Sequence, residues 1–138
     1  MSKKIHCILL VDDNPDDNFF HERVIMKNDF ADFVIAKESG LEALDFLKQP
    51  KNSKIAHPNL IFLDINMPEM NGWEFLEEYE QLEVSQKGEV VLTMLSNSID
   101  ERDRERAQQY KSVHGFYSKP LNEEYLANIL QTYFSQYL

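Results

Sequence analysis

Five side chains of complementary chemistry follow short apolar runs. Asp12 and Asp13 come after Ile8-Leu9-Leu10-Val11, and Asp64 after Leu60-Ile61-Phe62-Leu63. Ser96 comes after the run from Val90 to Leu95, and Lys119-Pro120 just past Gly115-Phe116-Tyr117. Three carboxylates held close together repel one another, so they either take up protons or bind a hard cation. Oxygen ligands without His or Cys favour Mg²⁺ (or Mn²⁺) over zinc. Mg²⁺ handles phosphate oxygens, and a carboxylate beside a cation and a lysine is a competent nucleophile for an acyl phosphate. Lys119 would supply a charge and Ser96 a hydroxyl to the product's oxygens, with turn N–H groups after Asp64 adding donors.

Each residue alone has a plainer reading. An acid after a strand commonly caps the next helix. A serine serves in turns, and a lysine is usually solvated. What argues for a site is the joint pattern of suitable residues at four successive strand ends.

The elements that must deliver them alternate. Strands are expected at 8–11, 33–36, 60–63, 90–95 and 115–117. The helix after the first strand is expected to be capped by Asp16 or Asp17, with Phe19, Phe20, Val24 and Ile25 at helical spacing. Ser39 caps the second helix, with Leu41, Ala43, Leu44 and Leu47 facing inward. Residues 49–58 form a polar connection. Gly72 to Val84 forms the third helix, with Trp73, Phe75, Leu76, Tyr79 and Leu82 as core candidates. Residues 100–110 have almost no apolar face and make a solvated helix. Asn122 caps the last helix, which carries Leu126, Ile129, Leu130, Tyr133, Phe134 and Tyr137. One or two of Tyr125, Tyr133, Phe134 and Tyr137 are expected to be exposed.

Continuous apolar strands between amphipathic helices imply a parallel sheet covered on both faces. The expected fold class is α/β: a doubly wound, five-stranded parallel sheet of order 2-1-3-4-5, flavodoxin-like, built as (βα)5. Its ligand site lies past the carboxyl ends of strands 1 and 3, where the acids are. Pro68 and Gly72 bend the chain after Asp64 and keep side chains away from it.

The bulk numbers agree. With 138 residues, 43% hydrophobic and 28% charged, the chain is one globular domain over 1–138. A net charge of −10 argues against nucleic-acid binding. No apolar stretch is long enough to span a membrane, and the run after the basic N-terminus is too short for a signal peptide. A single cysteine, Cys7, cannot form an internal disulfide and fits a reducing cytoplasm.

The motifs ILLVDDNP, IFLDINMPEMNG, LTMLSNS and GFYSKP, in that order, resemble the receiver domain of two-component response regulators, of the chemotaxis-receiver-like, single-domain kind. The resemblance covers nearly the whole chain. It implies that Asp64 is the phosphoacceptor, taking a phosphoryl group from a histidine kinase or phosphotransfer protein. It implies that Asp12, Asp13, Asp64 and the Asn66 carbonyl hold Mg²⁺, that Ser96, Asn97 and Lys119 surround the phosphoryl group, and that Lys119-Pro120 is cis. Ser96 and Phe116 would be the switch pair. The output would be read from the face of the fourth helix, fifth strand and last helix by a downstream protein, with homodimerisation on activation as an open alternative. Asn97 departs from the small residue usual there, and Phe116 from the more common tyrosine.

The resemblance implies a signalling domain rather than an enzyme, with only self-phosphorylation and self-dephosphorylation chemistry. The chain starts at Met1 and ends near the last helix, so a stand-alone receiver is expected. Two alternatives stay open. An Asp-nucleophile phosphatase would want a second acid two residues after Asp64, where Asn66 stands. The other is a receiver-like interaction module that is never phosphorylated.

Overall fold

The computed structural model describes residues 5–50, 57–87, 90–98 and 100–135. Five strands alternate with helices: β1 (Ile5–Val11), α1 (Pro15–Lys27), β2 (Ala31–Lys37), α2 (Gly40–Lys48), β3 (Leu60–Leu63), α3 (Gly72–Glu80), α4 (Val84–Lys87), β4 (Val91–Ser96), α5 (Glu101–Ala107), β5 (Val113–Ser118) and α6 (Glu123–Tyr133). All four strand pairings are parallel and the order is β2-β1-β3-β4-β5. The expected α/β topology is the one found.

Alternate strand residues serve opposite faces. Leu9, Val11, Ile61, Leu63, Leu92 and Met94 pack with Leu44 and Leu47 of α2 and Phe75 and Leu76 of α3. Ile8, Leu10, Leu60, Phe62 and Leu95 pack with Ile25 of α1 and Leu126 and Ile129 of α6. Every residue of β3 is buried. Each such side chain taken from water contributes roughly 1.5–3 kcal/mol, so the middle of the sheet is its most firmly held part. Register then levels the strand ends: Val11 pairs with Leu63, and Leu63 with Met94. The Asp64 N–H donates to the Val11 carbonyl at 3.0 Å, which brings Asp64 alongside Asp12.

Several local expectations are corrected. The cap of α1 is Asn14, not Asp16 or Asp17; its side chain accepts from the N–H groups of both, at 2.9 and 3.3 Å, with Pro15 at the first helical position. Asn14→Ala should lower stability by about 1 kcal/mol, measurable by urea unfolding. Phe19 and Phe20 are 61% and 48% exposed, and the buried residues of α1 are Asn18, His21 and Ile25. Leu41 is likewise exposed, while Phe46 joins Ala43, Leu44 and Leu47 inside. The third helix stops at Glu80, four residues short of Val84, and Val84 starts the short α4. Trp73, Phe75, Leu76 and Tyr79 are buried as expected.

Residues 100–110 behave as the sequence suggests, since only Ala107 of α5 is buried. Of the described aromatics here, Tyr125 and Tyr133 of α6 are half-buried and Phe134, just past it, is buried, so none of the three is exposed. The Tyr133 hydroxyl donates to the His114 carbonyl. Tyr137, and residues 51–56 of the polar connection, lie outside the described residues.

Candidate functional site

The site forms where four strand ends meet. One carboxylate oxygen from each of Asp12, Asp13 and Asp64 lies within 4.8 Å of the others. Asp12 and Asp64 are buried, and Asp13 is half-buried. Local hydrogen bonds fix Asp12. Its Oδ1 accepts from the Asn14 N–H at 3.0 Å, and its carbonyl accepts from Asn18 Nδ2 at 2.9 Å. Two of the three buried α1 residues are polar because they back this cluster: Asn18 and His21 line a cavity of about 10 Å³ with Asp12 and Asp64. Burial, and next the nearby Lys119 charge, lower the His21 pKa and disfavour its imidazolium form behind the acids.

Asp64 is placed by the end of β3 and by the turn that follows. The Gly72 N–H donates to the Ile65 carbonyl at 2.7 Å, folding the turn back onto the strand. The left-handed residue of this turn is Glu69, with φ 67°, rather than a glycine. Asn71 and Glu74 then close a reciprocal capping box at 2.9 and 3.0 Å, which starts α3 at once. The Asp64 carboxyl is pushed up from 3.8 to about 6, by burial first and by the Asp12 charge next, against the opposing pull of Lys119. A carboxylate disfavoured in this way is stabilised by any added cation, so the donor set and its electrostatics fit a hard divalent ion.

Lys119 comes from the loop after β5, across the cis Lys119-Pro120 bond. Its N–H donates to the Ser96 carbonyl at 2.8 Å, tying the ends of β4 and β5 together. The Lys119 side chain is 7% exposed. Its ammonium stands 2.6 Å from Asp12 Oδ2, 2.8 Å from Asp17 Oδ2 and 3.7 Å from Asp64 Oδ1. Burial alone would lower its pKa, but the bonds to Asp12 and Asp17 and the Asp64 charge outweigh burial and raise it.

Ser96 is fully buried at the end of β4, and its Oγ accepts from the Ser98 N–H at 3.1 Å. Asn97, beside it, is exposed, as is Asn66 after Asp64. Phe116 lies on β5, half-buried, with the Arg104 guanidinium 5.0 Å from its ring centroid and Arg104 Nη1 donating to its carbonyl at 3.4 Å. The structure therefore brings Asp12, Asp13, Asp64 and Lys119 together. Ser96, Asn97, Asn66 and Phe116 stand on the adjoining strand and loop segments. Sequence reasoning missed Asp17, Asn18, His21 and Arg104. Asp17 reads locally as a helix cap, and the others carry no local signal.

Comparisons with known proteins agree with this fold. Residues 8–131 match the model of the family described as "Response regulator receiver domain". Response regulator Rcp1 of Synechocystis is 33% identical over 95 residues, covering 68% of this chain and 65% of that protein. Hybrid signal transduction histidine kinase I of Dictyostelium discoideum is 27% identical over 95% of this chain, but only 7% of its own length is matched. A two-component response regulator from Cytophaga hutchinsonii superposes with a TM-score of 0.87 at 30% identity, covering 96% of this chain and 99% of that one. The Mn²⁺-bound form of Rcp1 superposes at 0.70 with 27% identity, covering 96% of each chain.

Proposed function

The chain belongs to the family of response regulator receiver domains, and from that premise we propose that Asp64 accepts a phosphoryl group from a phosphohistidine on a partner protein. Receiver domains are signalling domains rather than turnover enzymes. The observation that carries the proposal is the three-acid cluster with Lys119 buried against it at the switch point of the sheet.

Asp12, Asp13 and Asp64 would hold Mg²⁺ or Mn²⁺, with the Asn66 carbonyl contributing. A bound ion supplies positive charge against the phosphoryl oxygens as charge shifts between donor and acceptor. The acids' oxygen donors and the raised pKa of Asp64 support that assignment. So does the similar structure of Rcp1, which is a Mn²⁺-bound form.

Near neutral pH Asp64, with a pKa of about 6, is mostly ionised and able to attack. An Asp64 carboxylate oxygen forms a bond to phosphorus while the phosphorus–nitrogen bond of the donor breaks. The imidazole leaves with the electron pair and ends neutral, keeping the proton on its other nitrogen. Lys119 would donate to one phosphoryl oxygen, Ser96 to a second, with Asn97 beside them.

Ser96 and Phe116 would couple the new group to the output. A phosphoryl group adds roughly −1.5 to −2 charge and new acceptors at this edge. Ser96 moving toward it would free space for Phe116 to turn inward. Phe116 has no hydroxyl to hold it outward, but the Arg104 guanidinium over its ring offers a replacement. A downstream protein, or a second copy of the chain, would read the face made by α5, β5 and α6. We infer one receiver unit over 1–138 acting by protein contact or by passing the phosphoryl group on, in the cytoplasm. Among the described residues no helix is long and apolar enough to cross a membrane.

Incubation with acetyl phosphate and Mg²⁺, read by intact mass, tests the proposal. The expected result is a gain of one phosphoryl group in the wild type and none in Asp64→Asn. An unchanged wild-type mass, across pH and metal, would favour the interaction module that is never phosphorylated.

A further inference from the structure

Lys119 Nζ carries three protons, and two short bonds already engage it. One goes to Asp12, a member of the acid cluster. The other, at 2.8 Å, goes to Asp17, which lies outside that cluster on the first turn of α1. Asp64, the residue proposed to carry the phosphoryl group, is farther away at 3.7 Å. The Lys119 side chain is only 7% exposed, so its ammonium is shared mainly among these carboxylates, of which Asp17 is the more exposed at 33%. Asp17 is itself anchored, because its own N–H donates to Asn14 Oδ1.

We propose that Asp17 is a positioning residue for Lys119: it draws the ammonium toward α1, and a phosphoryl group on Asp64 must compete with it for that ammonium. This rests on the phosphoacceptor reading above. Without phosphate, Lys119 satisfies two carboxylates at hydrogen-bond distance. With phosphate, it turns a proton to a phosphoryl oxygen, and the charge-assisted bond to Asp17 is stretched or lost. Asp17 stabilises only the first state, so it weakens phosphoryl-group binding and slows its acquisition. A differential contact of this kind changes the equilibrium, whereas one made equally in both states would not.

A plainer role for Asp17 is to place negative charge at a helix N-terminus. Asp16 separates the two. It carries the same charge in the same turn, it is exposed, and it makes no bond to Lys119.

The experiment measures the affinity of beryllofluoride with Mg²⁺, a stand-in for the phosphoryl group, for the wild type, Asp17→Asn, Asp17→Glu and Asp16→Asn. Fluorine NMR of the bound fluoride reports the contact with Lys119. Asp17→Asn is expected to bind roughly threefold to thirtyfold more tightly, in line with replacing one competing charged hydrogen bond by a neutral one at a partly exposed position. Its bound fluorine resonance should also shift. Asp17→Glu should bind like the wild type, and so should Asp16→Asn. Equal affinity in all four proteins, or an equal gain from Asp16→Asn, overturns the positioning role while leaving the phosphoryl site standing. Absence of binding in all four overturns the phosphoacceptor reading and this proposal with it.

Discussion

In a chelator and near neutral pH, Asp64→Asn is expected to be more stable than the wild type by roughly 2–3 kcal/mol. The side chain is 9% exposed, and Asp12 and Asp13 stand close to it. Burial first, and Asp12 next, raise its pKa from 3.8 to about 6. The charged form is therefore disfavoured in the folded protein relative to the unfolded chain. The sign follows from proton counting. Below about pH 4 both states hold the proton and the acid costs nothing relative to the amide. Between about pH 4 and pH 6 the unfolded chain ionises first, so stability of the wild type falls as pH rises. Above about pH 6 both states are ionised and the cost is constant. Urea unfolding across this window should show the advantage of Asn growing from near zero to its plateau. Mg²⁺ should shrink the gap by stabilising the wild type alone. A difference that stays flat with pH, or an Asn variant less stable than the wild type, would mean that Asp64 is not under electrostatic strain.

That expectation links function to cost. The fold holds a carboxylate where burial away from water and the Asp12 charge both oppose its ionisation, and the binding of a cation relieves that. Local rules of stability would put a neutral residue at position 64. The departure from them is what marks the site.

The same contrast explains what could be read from the sequence. The sheet was legible because β3 and most of β1 are continuous apolar runs, a pattern that only a doubly covered strand satisfies. Asp12, Asp13, Asp64 and Lys119 were legible because a parallel sheet turns sequence position at strand ends into spatial proximity. Helix α1 defeats the pattern for the opposite reason. Hydrophobic periodicity assumes that a helix buries its apolar side. Here the buried side must supply polar backing for the acids, so Asn18 and His21 face the sheet and Phe19 and Phe20 face solvent. Asp17 escapes a local reading because its partner is 102 residues away, and no local pattern encodes such a pair. Its neighbour Asn14 takes the cap because it precedes Pro15 at the first helical position. The break after Glu80 is hidden because the short α4 buries no residue and so imposes no periodicity.

Gly72→Ala is expected to lower stability by about 2–4 kcal/mol and to abolish beryllofluoride binding. A Cβ at position 72 would lie 2.6 Å from the Asp64 carbonyl oxygen, 2.9 Å from Ile65 Cα and 3.3 Å from the Asp64 carbonyl carbon. All three are backbone atoms at the exit of a fully buried strand. They are held further by the bond from the Gly72 N–H to the Ile65 carbonyl. A flexible side-chain tip could swing aside, but these atoms can move only with Asp64 itself. Alanine's better helix propensity offers at most about 1 kcal/mol in return, and less at a first helical position, so the clash wins. Because two of the displaced atoms belong to Asp64, the proposed phosphoacceptor, and the third to Ile65 next to it, the functional loss should exceed the loss of stability. A shift of about 1 Å can cost two orders of magnitude at a reacting centre. Gly40 provides the control. A Cβ there would meet only the Met70 side chain, with Sδ at 2.7 Å and Cγ at 3.0 Å. Methionine adapts its rotamer readily, so Gly40→Ala should change stability by less than about 1 kcal/mol and leave ligand binding intact. Urea unfolding and beryllofluoride titration of the two variants side by side give the test. If Gly72→Ala matches Gly40→Ala in both, the turn after Asp64 is looser than its geometry indicates, and the rigid placement of the acid by β3 must be given up.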